Sequence, residues 1–271
     1  MLLNDIDSLL KKKLFPKKFK LDSEIYGLHY DQNRNNKLIK RVMLTIDLSL
    51  NAIHFALKKK INLIISHHGL INEPIKNFKR NLINKLTLLN KYPISVFVLS
   101  SPFIASEGGV SDTLANMLYL KSEETFNIKS KNGFKVPIGR ICSPKNYMNN
   151  RSFMTLEELI KRIKTNLDLQ FISYVGDLKK LMHKICIVGG DTPNINYIKK
   201  VINLGCDCYI SGKIGYFEAV LARDTGLALI ETSHYKNEIH ALRKIYKILS
   251  LQFPNIEFTL FESNDPFKTY F

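Results

Sequence analysis

The sequence predicts an α/β protein of two lobes, the second inserted into the first. Three observations carry this. Strand-length apolar runs alternate with helix-length amphipathic segments from residue 41 to residue 120. A polar, turn-rich stretch over 126–150 then breaks the alternation. The alternation resumes and runs to the last residues, with no linker long enough to free one part from the other. The boundaries fall near residues 126 and 230. One lobe is then 1–125 plus 230–271, and the inserted lobe is 126–229.

The elements follow in order. "MLLNDIDSLLKKKLF" places acids before lysines and has no small-residue cleavage site, so it reads as an amphipathic helix and not a signal peptide. "RVMLTIDLS" (41–49) is a strand rich in β-branched residues, and "NAIHFALKKK" is the helix after it. "INLIIS", the helix "NFKRNLINKLTLLNKY" and the strand "ISVFVLS" continue the pattern. "SDTLANMLYL" is a helix capped by Ser111 or Asp112. This order argues for a parallel, doubly covered sheet.

After the turn-rich stretch, "MTLEELIKRIKTNL" is a helix with Thr155 and Glu158 as a capping box. "KICIVGG" is a strand, "NINYIKKVINLG" a helix ended by Gly205, and "CDCYIS" a strand. "YFEAVLARDTG", "LALIETS", "EIHALRKIYKILSLQF" and "IEFTLFES" alternate helix and strand to the end.

Composition narrows the class. In 271 residues, 45% are hydrophobic and 24% charged, which fits an ordinary globular protein. No run reaches the roughly 18–20 apolar residues of a membrane span, so a cytoplasmic protein without a membrane partner is expected. The cysteines Cys142, Cys186, Cys206 and Cys208 form no CxxC pair and read as buried, reduced thiols. Cys206 and Cys208 are expected on one face of a strand. The net charge of +16 comes from lysines scattered along the chain. It reads as a solvated surface, with weak nucleic-acid binding as the alternative.

Function gathers at the carboxyl ends of strands in open α/β sheets. "NLIISHHGLI" puts His67 and His68 there, and "LALIETSHYKNE" puts His234 and Glu238 at a second strand end. With a helix starting near Tyr235, His234 and Glu238 share a face. Two such clusters about one fold suggest one metal site. Strand neighbours point to opposite faces, so two ions, each taking one histidine of the pair, are easier than one. Imidazole donors suit zinc, iron, nickel or manganese. The bland alternative is a pair of polar strand caps.

His54 and His240 fall in helices, His183 precedes a strand, and His29 lies in "IYGLHYD"; none is a main candidate. Gly108–Gly109 and Gly189–Gly190 precede helices, the latter through Asp191 and Pro193. They read as sharp turns, with anion binding as the alternative.

Taken together, "IYGLHYD", "TIDLSLNAIHFAL", "LIISHHGLI", "SEGGVSDTLANML", "ICIVGGDTPN", "GCDCYISGKIGYFEAVLARDTGLALIETSHYKNE" and "SNDPF" resemble, in order, the NIF-three-like family. Its members are often called type 2 GTP cyclohydrolase I homologues or dinuclear metal-centre proteins. The resemblance implies two interlinked α/β lobes and a ring-like homohexamer. It implies two divalent ions, with His67, His68, His234 and Glu238 as metal ligands. At the position of the family's aspartate ligand this chain has Ile104, preceded by Ser100, Ser101 and Pro102, and Glu107 is the nearest carboxylate in sequence. Lys213 and Phe217 stand where the family has acidic or histidine residues. These departures leave the number of ions open.

Two functions are expected from this. One is a metal-dependent hydrolase acting on a nucleotide such as GTP. The other is a non-catalytic oligomeric scaffold that binds metal or polyanions.

Overall fold

The computed structural model describes residues 2–21, 24–31, 38–71, 75–130, 132–144, 153–190 and 194–268. The chain divides into two compact units. The first comprises Met1–Ser106, Ser130–Phe134 and Leu242–Phe271, and the second Glu107–Lys129 and Lys135–Ala241.

The first unit opens with helix α1 (Leu3–Leu9), a π-helical turn over Leu10–Leu14 and a 3₁₀ turn over Lys17–Phe19. It continues through β1 (Gly27–Tyr30), β2 (Arg41–Thr45), α2 (Leu50–Lys58), β3 (Leu63–Ser66), α3 (Arg80–Lys91), β4 (Ser95–Val98) and α4 (Ser100–Ala105). The second unit holds α5 (Val110–Met117), β5 (Leu120–Lys129), β6 (Lys135–Pro144), β7 (Met154–Thr155), α6 (Leu156–Asn166), β8 (Ser173–Val175) and β9 (Leu181–Met182). It continues with β10 (Ile185–Val188), α7 (Ile195–Asn203), β11 (Cys208–Ser211), α8 (Tyr216–Thr225) and β12 (Ala228–Glu231). Helix α9 (His234–Gln252) follows, its residues through Ala241 in the second unit and those from Leu242 in the first. Strand β13 (Glu257–Phe261) ends the fold.

The first unit's sheet has the order β1-β4-β3-β2-β13. Strands β4, β3, β2 and β13 are parallel, and β1 joins the edge antiparallel to β4. Every residue of β3 and β4 is buried, which is why these segments read as unbroken apolar runs and not as alternating ones. On one side Met43, Ile64, Val96 and Val98 pack with Ala52, Ile53 and Ala56 of α2 and Leu89 of α3. Ser49 caps α2 by accepting a hydrogen bond from the Ala52 N–H at 3.1 Å.

The second unit's sheet has the order β5-β6-β10-β11-β12-β8. Only β10, β11 and β12 are parallel; β6 and β8 flank them antiparallel, and β5 extends the edge. The expected parallel sheet is therefore corrected to two mixed sheets with parallel centres. The expected turn-rich middle is a long β5–β6 hairpin up to Pro144, with its turn near Gly133 at φ +80°. Its exposed strand, β5, carries many charges, which blunt both its apolar signal and its open edge. Residues 145–150 of that stretch lie outside the described residues.

Local corrections are few. Gly109, not Ser111 or Asp112, precedes α5. Ser111 lies inside the helix and donates to the Ile138 carbonyl, while Asp112 pairs with the buried Arg140 guanidinium. Cys206 lies before β11, and Cys208 opens it. Helix α4 begins at Ser100, the last residue of the expected strand. Its start is pinned by the Glu24 carboxylate, which accepts from the Ser100 hydroxyl at 2.8 Å and from the Ser101 N–H at 3.0 Å. The Thr155–Glu158 capping box forms as expected. Gly205 and Gly226 take left-handed φ of +65° and +71° after α7 and α8, where a side chain would be strained. Among the described residues no helix is long and apolar enough to cross a membrane.

Candidate metal centre

His67 and His68 follow β3 directly. Their backbone is fixed by neighbouring strand ends. The His67 N–H donates to the Thr45 carbonyl at 3.1 Å, the His68 N–H to the Ile46 carbonyl at 2.9 Å, and the Ser100 N–H to the His67 carbonyl at 3.0 Å. His67 is 2% exposed, a rare degree of burial for an imidazole. Phe103 meets its ring edge-on at 5.3 Å, and Phe15 in turn meets Phe103 at 5.3 Å.

The two imidazoles lie together, with ring centroids 4.4 Å apart and planes at 34°. Strand alternation ends at Ser66, so neighbouring side chains here need not oppose one another. Both rings can therefore offer a donor atom to one group. His68 also has a partner that the sequence reading missed. Its Nδ1 is 2.8 Å from Asp47 Oδ1. Asp47 follows β2 as His68 follows β3, so the strand-end rule that picked out the histidines applied to it too. Asp47 also reaches α3. Burial lowers the pKa of Lys85, and the Asp47 charge raises it in partial compensation.

In the second unit, α9 begins at His234, and Glu238 sits one turn in. His234 Nε2 is 3.2 Å from Glu238 Oε1. Glu238 is fully buried. The start of α9 is held by Asn237, whose amide donates to Thr232 Oγ1 at 2.9 Å and to the Gly189 carbonyl at 3.4 Å. The Thr232 hydroxyl donates to the Ser211 carbonyl at 3.0 Å. Gly212 fits close by; a Cβ there would lie 3.0 Å from His234 Cα and 3.1 Å from the Gly190 carbonyl oxygen.

Among the described residues His67, His68 and Glu238 form one group able to hold a metal ion, each offering one ligand atom, with these atoms within 4.8 Å of one another. Two imidazoles and a carboxylate are a donor set suited to a divalent transition metal. His234 is not in that group and meets it through Glu238. Ile104 is half-buried on α4, and Glu107 is exposed and outside the group. Lys213 is exposed, as is Phe217, whose ring meets that of Tyr216 at 5.8 Å.

The remaining histidines are exposed or half-buried. His183 lies 3.8 Å from Asp207, and burial holds the His29 imidazole below its ordinary pKa. Of the glycine pairs, Gly189 is closely packed, and the Gly108 N–H donates to Asp112 Oδ2 at 2.7 Å. A Cβ at Gly189 would lie 2.6 Å from Val110 Cγ1, and the Gly189 N–H donates to Ser111 Oγ at 3.1 Å. Asp191 and Pro193 lie outside the described residues.

Comparison with known proteins agrees with this architecture. The family model described as Duf34/NIF3 (NGG1p interacting factor 3) matches residues 1–266. A "GTP cyclohydrolase 1 type 2 homolog" of Clostridium perfringens is 26% identical over 272 residues, covering 99% of each chain. One of the same description from Methanocaldococcus jannaschii is 27% identical over 236 residues, covering 87% of this chain and 89% of the other. Among solved structures, a Bacillus cereus protein related to NIF3 superposes with a TM-score of 0.83 at 18% identity, covering 100% of this chain and 99% of the other.

Proposed function

Because the chain belongs to the Duf34/NIF3 family, we propose that it is a metal-dependent hydrolase whose divalent ion is held by His67, His68 and Glu238, with His234 as a fourth residue of the centre. The donor group of two imidazoles and a buried carboxylate carries this reading. When bound, a divalent ion supplies Lewis acidity and eases deprotonation of water near neutral pH.

The protein's own residues do the rest. Phe103 and the strand-end backbone hold the His67 ring in place. The Glu238 carboxylate brings a fully buried negative charge to the centre, which favours a bound cation. His234 Nε2, 3.2 Å from that carboxylate, orients it and is placed to take or give a proton there. With three protein donors, a bound ion would have room for water and substrate, as in catalytic centres. The relatives' description suggests a nucleotide such as GTP as substrate, with water opening a ring bond. A homohexamer fits the resemblance in sequence.

The test is elemental analysis of tag-free protein purified without chelator, followed by turnover of GTP with zinc, manganese or iron. At least one ion per chain, lost in His67→Ala, together with metal-dependent turnover, is the expected result. No ion after incubation with any of the three metals overturns the reading.

A second reading is a non-catalytic oligomeric scaffold. Ile104, half-buried where the resemblance expects a carboxylate, supports it. The exposed Lys12, Lys13, Lys17 and Lys18 suit weak polyanion contact. Bound metal without turnover, with salt-sensitive retention on immobilised RNA, would favour this reading.

A further inference from the structure

We infer that Asp47 is a positioning residue for His68: it holds the proton on Nδ1 and so makes Nε2 the ligand atom. This rests on the metal-centre reading above and adds a residue that the ligand pattern does not contain. His68 Nδ1 and Asp47 Oδ1 are 2.8 Å apart, the length of a strong charge-assisted hydrogen bond. A carboxylate only accepts, so the proton of that bond belongs to the imidazole. A neutral imidazole has one N–H, and with it on Nδ1 the lone pair is on Nε2.

The geometry is built into the scaffold. Asp47 and His68 leave adjacent parallel strands, β2 and β3, whose last paired residues are Thr45 and Ser66. The two turns are tied together by the hydrogen bonds from His67 N–H to Thr45 and from His68 N–H to Ile46. The Asp47 carbonyl accepts from Thr45 Oγ1 at 3.2 Å, which closes its own turn. The carboxylate therefore stays beside the imidazole without a long side chain to order.

The two histidines are held in different ways. His67 is buried and meets an aromatic edge, so packing fixes its ring. His68 is more exposed, with 28% of its side chain accessible, and its Nδ1 meets the Asp47 carboxylate. The Asp47 side chain is 51% exposed, so its charge is screened by water. Its contribution is orientation and tautomer more than long-range field.

The test reads the tautomer directly. In metal-free protein at about pH 8, above the ordinary histidine range, long-range nitrogen–proton NMR correlations show which His68 nitrogen bears the proton. Wild type is expected to carry it on Nδ1. Asp47→Ala is expected to move it to Nε2 or give a mixture. Asp47→Asn, whose carbonyl oxygen still accepts, is expected to keep it on Nδ1. Zinc affinity should fall about 10–100-fold in Asp47→Ala and much less in Asp47→Asn.

A proton on Nε2 in the wild type, or an unchanged tautomer in Asp47→Ala, overturns the assignment. The wild-type measurement decides even where a variant fails to fold. Failure of zinc to bind the wild type would overturn the metal reading alone, because the tautomer is read without metal.

Discussion

His234 Nε2 lies 3.2 Å from Glu238 Oε1 across the first turn of α9, and the carboxylate is fully buried while 30% of the imidazole side chain is exposed. Residues four apart on a helix share a face, so this contact follows from the sequence spacing once the helix starts at His234. Glu238→Gln keeps shape and hydrogen bonding but removes the buried charge. Metal content by elemental analysis should fall to background, with the far-ultraviolet circular dichroism unchanged. His234→Ala should weaken zinc binding about 10–100-fold in a chelator competition. Full metal content in both variants would remove the pair from the centre.

Burial lowers the His29 pKa below its ordinary 6.5. The folded protein therefore prefers the neutral imidazole, and the unfolded chain takes up a proton first as pH falls. The stability from this group is complete above 6.5 and is lost as pH falls through the lower folded value. The urea midpoint of wild type should drop across that window, and His29→Gln should flatten the drop. An unchanged slope in the variant would contradict the burial of this ring.

All the cysteines are buried, and desolvation is the first cause of the rise in pKa of each thiol. Cys142 is pushed up to about 12 and Cys206 to about 11. A thiolate is the reacting species, and at pH 8 those values leave roughly a thousandth or less of either thiol ionised. Native protein should therefore react with Ellman's reagent only slowly, and all four thiols should titrate after denaturation. Fast reaction of a native thiol would show a local opening of the β6–β10–β11 region.

A Cβ added to Gly139 would press into the Ile187 carbonyl oxygen, within the antiparallel β6–β10 ladder. Backbone cannot yield as a side chain can. Gly139→Ala should lower unfolding free energy by about 1–3 kcal/mol or more. Gly133→Ala, with open space around it but φ +80°, should cost only about 1 kcal/mol. Equal denaturant midpoints for the two variants would contradict the close packing at Gly139.

The parallel centre of each sheet was legible because its strands are short, mostly apolar and separated by amphipathic helices. The antiparallel edges were not. β1 has one fully buried residue and is half-exposed beyond it, and β8 has three residues, so neither gives a periodic signal. The α5 cap was misread because Ser111 and Asp112 are good capping residues whose side chains are used elsewhere, on Ile138 and Arg140. At the site, the histidine pair and the HxxxE spacing were visible as motifs. Asp47 was not, because "TIDLS" contains one ordinary aspartate whose role depends on which strand lies beside β2. Glu107, three residues after Ile104, is exposed, since a carboxylate close in sequence can still leave the chain at a turn facing outward.

Strand β13 pairs in parallel with β2 from Glu257↔Arg41 to Phe261↔Thr45, and the Arg41–Glu257 ion pair at its start joins residues 216 apart. During translation β2 is made early and waits for this neighbour. At ribosomal rates of about 5–20 residues per second, the wait is roughly 10–40 s. For that time the emerging chain carries an unpaired inner strand edge, a surface that invites mispairing between nascent chains. The length of that exposure is therefore set by when β13 leaves the ribosome, and slower translation of the second unit would lengthen it.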